Sequence, residues 1–177
     1  MDLKKVIIAI IVLLIIVVGA YFVLNTPSTQ VIKYDEHFNV SVPADFNTTE
    51  TNGQVTSAFP ENKSYVVTIV EENNSTVDSM ESDFKIIKDA ENLTGIKENF
   101  SDINSYNIGN NKVYEFTTID EQVIKESGVN AKKLRVVSFV VPNSNKVYDL
   151  CFGSNDTSID LHNSDIEAII NSTSQTQ

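Results

Sequence analysis

Nineteen consecutive residues, VIIAIIVLLIIVVGAYFVL from Val6 to Leu24, carry no charge. No other feature restricts the chain as much. As a helix rising about 1.5 Å per residue the run is roughly 28 Å long, close to the hydrocarbon thickness of a bilayer. A helix apolar on every side needs lipid or a thick protein shell around it, and a chain of 177 residues has little left to build that shell. Lys4 and Lys5 precede the run and an acidic stretch follows. The positive-inside rule then places residues 1–5 in the cytoplasm, 6–24 across the membrane and everything beyond outside the cell membrane. Tyr21 and Phe22 suit the outer interface. The alternative is a cleaved signal peptide, because VGA at Val18–Ala20 suits a signal peptidase and would leave a chain starting at Tyr21. The run continues four residues past Ala20 and exceeds a usual signal core, so an uncleaved anchor is expected. No glycine precedes the run for a prepilin peptidase, and no cysteine lies near residue 20 for lipidation.

Asn25 to Gln30, NTPSTQ, reads as a short polar linker. A single extracytoplasmic domain is expected over residues 31–172, with a frayed tail at 173–177. The whole chain has a net charge of -11. Residues 1–30 contribute +1 through Asp2, Lys4 and Lys5, so residues 31–177 carry -12. Such a field repels nucleic acid and anionic headgroups and excludes a nucleic-acid-binding role. It keeps a domain soluble and attracts cations or basic partners. Cys151 is the only cysteine, so no intrachain disulfide forms; between Leu150 and Phe152 it reads as a buried, inert thiol.

Beyond the linker, apolar residues alternate with period two. FNVSVP (Phe38–Pro43) is the first such run and is expected to open an antiparallel sheet, with Phe38, Val40 and Val42 inward and His37 and Asn39 outward. Pro43 stops it, since proline cannot donate to a ladder. QVTSAF (Gln54–Phe59) follows, then a turn at ENK after Pro60, then SYVVTIVE (Ser64–Glu71), apolar on both faces and expected to lie centrally. From Ser75 to Gly95 the period lengthens, with Val77, Met80, Phe84, Ile87, Ala90 and Leu93 on one helical stripe and Ser75 and Asp78 at capping-box spacing. Phe100–Ile108 and Lys112–Ile119 flank GNN and form a hairpin. Glu121–Glu126 reads as a helical turn, and Lys133–Val141 and Lys146–Phe152 flank a tight turn at PNSN. A last helix follows, with a capping box at Ser164 and Glu167 and a buried face of Ile166, Ile169 and Ile170. The order β-β-β-α-β-β-β-β-α predicts an α+β fold, an antiparallel sheet flanked by helices, behind one transmembrane helix.

Four local patterns carry a resemblance to a known family. They are FNVSVPADF, YNIGNNKVYEF, VYDLCFGSND and SDIEAIINS, in that order over about 140 residues. In these the ectodomain resembles the PsbP-like superfamily. The resemblance implies an antiparallel sheet between helices and a docking or accessory role, as in a photosystem II subunit, a nuclear relative that binds a small GTPase and many envelope lipoproteins. None of that family's partner-contacting residues matches a position here. The photosynthetic role is not implied, and a membrane anchor stands in place of the family's transit or lipoprotein signal.

The residues offer little chemistry. A triad base would have to be His37 or His162, the two histidines, and neither lies in a nucleophile elbow; both read as surface residues. DEH and DLHNSD make no zinc pattern, and EENNSTVDSMESD lacks the order of a calcium loop. No Walker A and no GxGxxG occurs. No catalytic, cofactor-binding or metal-ligating residue is therefore expected. Sequons occur at Asn39, Asn47, Asn62, Asn73, Asn74, Asn92, Asn99, Asn155 and Asn171, all outside the membrane on this topology, although an Asn- and Ser/Thr-rich composition alone yields several. Loop sites such as Asn47, Asn73 and Asn155 are the expected acceptors in a host with the machinery, and Asn39, within a strand, is the least accessible. The expectation is a non-enzymatic, single-pass accessory or binding module of the cell envelope with a protein partner. The alternatives are an envelope hydrolase with an unrecognised site and a structural envelope component.

Overall fold

The computed structural model describes residues 28–51, 54–72, 79, 80, 82, 85, 101, 103–141 and 146–173. The expected anchor at 6–24, the Ser75/Asp78 capping box, most of the helical stripe at 75–95, the PNSN turn and the tail from residue 174 lie outside these. Among the described residues no helix is long and apolar enough to cross a membrane.

The elements bounded within the described residues are, in chain order, β1 (Thr29–Lys33), β2 (Asn39–Pro43), β3 (Asn47–Thr51), β4 (Gln54–Phe59), β5 (Val66–Glu71), β6 (Asn104–Ile108), β7 (Asn111–Thr118), α1 (Glu121–Glu126), β8 (Lys133–Val141), β9 (Lys146–Ser154) and α2 (Ser164–Asn171). Residues 79, 80, 82 and 85 are also helical, within the predicted stripe. Strands β3 to β9 form one antiparallel sheet of seven, in the order β3-β4-β5-β9-β8-β7-β6. The expected central place of β5 holds, between β4 and β9. The GNN hairpin also holds: Ile108 pairs with Asn111, and Gly109 takes φ +59° at the first position of the two-residue turn, a region glycine enters without a Cβ clash.

Three expectations are corrected. The stretch from Phe38 to Pro43 does not open the main sheet. As β2 it pairs only with β1, in a separate two-stranded ribbon, and β1 takes in Thr29 and Gln30 from the predicted linker. Strand β3, NTTET, escaped detection because it is exposed at every residue and so carries no apolar alternation. Finally, the cap of α2 is Asn163 and not Ser164: the Asn163 side chain accepts from the amides of Asp165 and Ile166. Glu167, expected to close a capping box, is instead held by Arg135.

Helix and ribbon share one face of the sheet, so the architecture is richer in strand than a simple helix-flanked sheet. Phe38, Val40 and Val42 are fully buried there with Val137, Phe139, Leu150, Phe152, Ile166, Ile169 and Ile170. Phe38 stacks on Tyr148 at 4.6 Å between ring centres and meets Phe139 edge-on at 5.4 Å. Ser172, at the end of α2, accepts from the Ser41 amide and donates to the Ser41 carbonyl, which fixes the helix against β2. The opposite face is covered in two places. Ile124 of α1 and Val129 pack on Phe116, Leu134, Val136 and Cys151, and Met80, from the predicted stripe, packs on Tyr114, Val140 and Val147.

Candidate functional site

Strand alternation puts Glu115, Thr117 and Arg135 on the face that α2 covers, because Glu115 is paired with Val137 and Thr117 with Arg135. Arg135, the chain's only arginine, is 1% exposed. One terminal nitrogen donates to the Leu161 carbonyl at 2.8 Å and to Glu167 Oε1 at 2.7 Å; the other donates to Glu115 Oε2 at 2.9 Å. Its Nε has no partner among the described residues. Tyr106 on β6 donates its hydroxyl to Glu115 Oε2 at 2.6 Å. Burial pushes the Tyr106 phenol upward, and the bond to the Glu115 carboxylate pushes it the same way. Burial alone would lower the Arg135 guanidinium, yet the bonds to Glu167 and Glu115 hold it above its ordinary value. The arrangement is a closed ion cluster that joins β6, β7 and β8 to α2. A planar guanidinium suits this, since its fork reaches two carboxylates and a carbonyl at once.

A second cluster lies at the far end of the same face. Asp35 Oδ1 accepts from the amides of His37 at 2.7 Å and Phe38 at 2.9 Å. Its Oδ2 accepts from Tyr148 Oη at 2.6 Å and Lys146 Nζ at 3.1 Å. Lys146 also meets Glu71 at 3.3 Å. Burial would raise the Asp35 carboxyl, but the bonds from Tyr148, the His37 amide, Lys146 and the Phe38 amide outweigh it and lower the value. The bond to Asp35 chiefly raises Lys146, and burial followed by the same carboxylate raises Tyr148. The cluster pins the turn before β2 onto β9.

The two histidines belong to different clusters. His37 lies 3.3 Å from Glu36 at the surface. His162 Nε2 is 3.0 Å from Thr117 Oγ1, and its Nδ1 is 3.7 Å from Glu115 Oε1, so it rims the Arg135 cluster with its outer edge exposed. His162 thus meets one hydroxyl, that of Thr117, with Glu115 behind the ring, while the hydroxyls of Ser154 and Ser172 are tied to backbone carbonyls. Cys151 is 1% exposed, and burial, then the carboxylates of Asp149 and Glu72, raise its thiol well above the ordinary value, which suppresses the thiolate. Among the described residues no three metal-liganding side chains converge. An open groove of about 630 Å³ beside α1 is lined by Ile124, Val129 and Ala131 together with Glu121, Lys125 and Lys132.

Sequence reasoning passed over both clusters. The signal was present: Arg135 and Glu115 sit within strands of otherwise inward apolar phase, where an unpaired charge is too costly to bury.

No family model matches the chain, and no curated protein matches it. Among solved structures it is similar to the solution structure of cyanobacterial PsbP (CyanoP) from Synechocystis sp. PCC 6803, with a TM-score of 0.48 and 9% identity over 85% of this chain and 94% of that one. At that identity and score the likeness brings no ligand, partner or activity with it.

Proposed function

We propose that the chain is a single-pass, PsbP-like accessory or binding module held on the outer side of a cell membrane and engaging a protein partner without catalysis. One observation carries this reading. The two ion clusters of the domain close on themselves, Arg135 on Glu115 and Glu167 and Asp35 on Lys146 and Tyr148, rather than converging on a cleft. Buried pairs of this kind hold elements together; catalytic groups must reach a substrate. The uncharged run at Val6–Leu24 supports the anchor, and Lys4 and Lys5 just before it support the orientation.

The test is cross-linking and pull-down of the full chain from gently solubilised membranes. A stoichiometric protein partner is expected. Recovery of the chain cross-linked only to itself would favour a structural envelope component. Activity profiling with a signal abolished by His37→Ala or His162→Ala would replace the reading with a hydrolase. Intact-mass measurement of the membrane fraction checks the anchor, and a mature chain starting at Tyr21 overturns it.

A further inference from the structure

The nine sequons exceed what composition supplies. With 19 asparagines and 31 serines and threonines in 177 residues, chance placement gives roughly three. Five of the nine fall on described residues, and the fold sorts them. Asn39 is 9% exposed and lies in β2. The Asn171 amide donates to the Glu167 carbonyl at 2.8 Å, and the hydroxyl residue of its sequon, Thr173, is 5% exposed. Asn47, Asn62 and Asn155 are exposed. No hydrogen bond among the described residues occupies their amide nitrogens. Thr49 and Thr157, which complete two of these sequons, are exposed as well, and Ser64, which completes the third, is half-buried.

The three accessible asparagines also lie together. Asn47 pairs with Phe59, Ala58 with Val67 and Val67 with Phe152. One row across the sheet therefore carries Asn47, the turn after Phe59 and the loop after Ser154 to the same end. Asn62 is in that turn, its Oδ1 accepting from the Ser64 amide at 3.0 Å. Asn155 lines a hollow of about 230 Å³ together with Phe59, Lys63 and Tyr65. The Ser28 carbonyl accepts from the Ala44 amide at 2.9 Å, so the chain arrives from its N-terminal segment at this end too.

We infer that Asn47, Asn62 and Asn155 carry N-linked oligosaccharides, forming a hydrophilic collar at the end of the sheet nearest the N-terminal segment. The donor is a lipid-phosphate-linked oligosaccharide. Asparagine Nδ2 forms a bond to the anomeric carbon, the bond from that carbon to the phosphate oxygen breaks, and the amide proton passes to base as the lipid phosphate leaves. The collar gives β3 what its sequence lacks. That edge strand is exposed at all five residues, open edges template association, and a sugar on Asn47 stands at its first residue. This inference rests on the extracytoplasmic placement proposed above.

The experiment uses the full chain with one added unstructured sequon after Gln177, produced in a host whose extracytoplasmic face carries an oligosaccharyl transferase. Glycopeptide mass spectrometry and gel mobility are the readouts. The expected result is sugar on the added sequon and on all three asparagines, with one mobility step lost for each of Asn47→Gln, Asn62→Gln and Asn155→Gln and none for Asn39→Gln. Thr49→Val and Thr157→Val remove the same steps while leaving the asparagines in place, which separates loss of the acceptor from misfolding. Sugar on the added sequon alone overturns the collar and leaves the placement standing. Sugar on neither overturns both.

Discussion

Asp149 sets burial against charge more sharply than any other described carboxyl. It lies on the face opposite the ribbon, paired with Val70 on one side and Ser138 on the other, and its Oδ1 has no partner among the described residues. Burial pushes it up to about 7; a bond from Ser138 works against this, and the neighbouring Glu72 adds to it. A carboxyl raised in the folded state binds more protons there than in the unfolded chain, so stability falls as pH rises from about 4 to about 7. Asp149→Asn should flatten that slope and raise stability at pH 7.5 by roughly 1–3 kcal/mol, read from urea titrations across pH. An unchanged slope would remove Asp149 as its source. Asp35 works in the other direction. Its lowered carboxyl contributes above its ordinary range, and that contribution is lost as pH falls through the folded value. Arg135 is the second residue at which the cost is large. Arg135→Met leaves Glu115 buried without its cation and should cost about 3–5 kcal/mol. Arg135→Met with Glu115→Leu should recover part of that loss, because the buried carboxylate goes with its cation and the half-exposed Glu167 keeps access to water; a double variant as unstable as the sum of the singles would contradict the coupling.

At the scale of elements, the loop after α1 presses onto β9 at Gly153. A Cβ there would meet Val129 Cγ1 at 2.5 Å and Ala131 Cβ at 2.9 Å. Val129 is buried and β-branched, so its Cγ1 gives little, and the alanine Cβ moves only with its backbone. Gly153→Ala should therefore destabilise by roughly 1–3 kcal/mol through overpacking, and adding Val129→Ala should relieve only part of it; thermal unfolding of the single and double variants decides. Strands with one wet and one buried face were legible from the chain because alternation is a local property. β4, β5, β7, β8 and β9 are of this kind or continuously apolar. β3 was not legible, since both its faces are wet and only pairing with β4 makes it a strand. The helical turn at Glu121–Glu126 was legible, and Asp120 caps it by accepting from the amides of Gln122 and Val123. The cap of α2 was misplaced by one residue, because Asn163 and Ser164 are both good caps, and Glu167, which would close a box with Ser164, is bonded to Arg135 instead.

For the whole molecule, the proposed anchor is tested by the contrast between the net charge of -12 on residues 31–177 and the apolar run at 6–24. A chain beginning at Ser28 should fold, give a strand-dominated circular dichroism spectrum and partition into the aqueous phase on detergent phase separation, whereas the full chain should enter the detergent phase. A truncated chain still found with detergent would mean that the domain binds lipid by itself. The apolar run, the alternating strands, the acidic surface and the near-absence of catalytic motifs are all readable along the chain, because each depends on residue type and short spacing. The pairing of β1 with β2, the ribbon laid over the sheet, the meeting of Arg135 with Glu115 and Glu167, and the gathering of Asn47, Asn62 and Asn155 at one end were decided by the folded chain alone. Each depends on contacts between residues far apart in sequence, and no local period records which distant partner a strand or a buried charge will find.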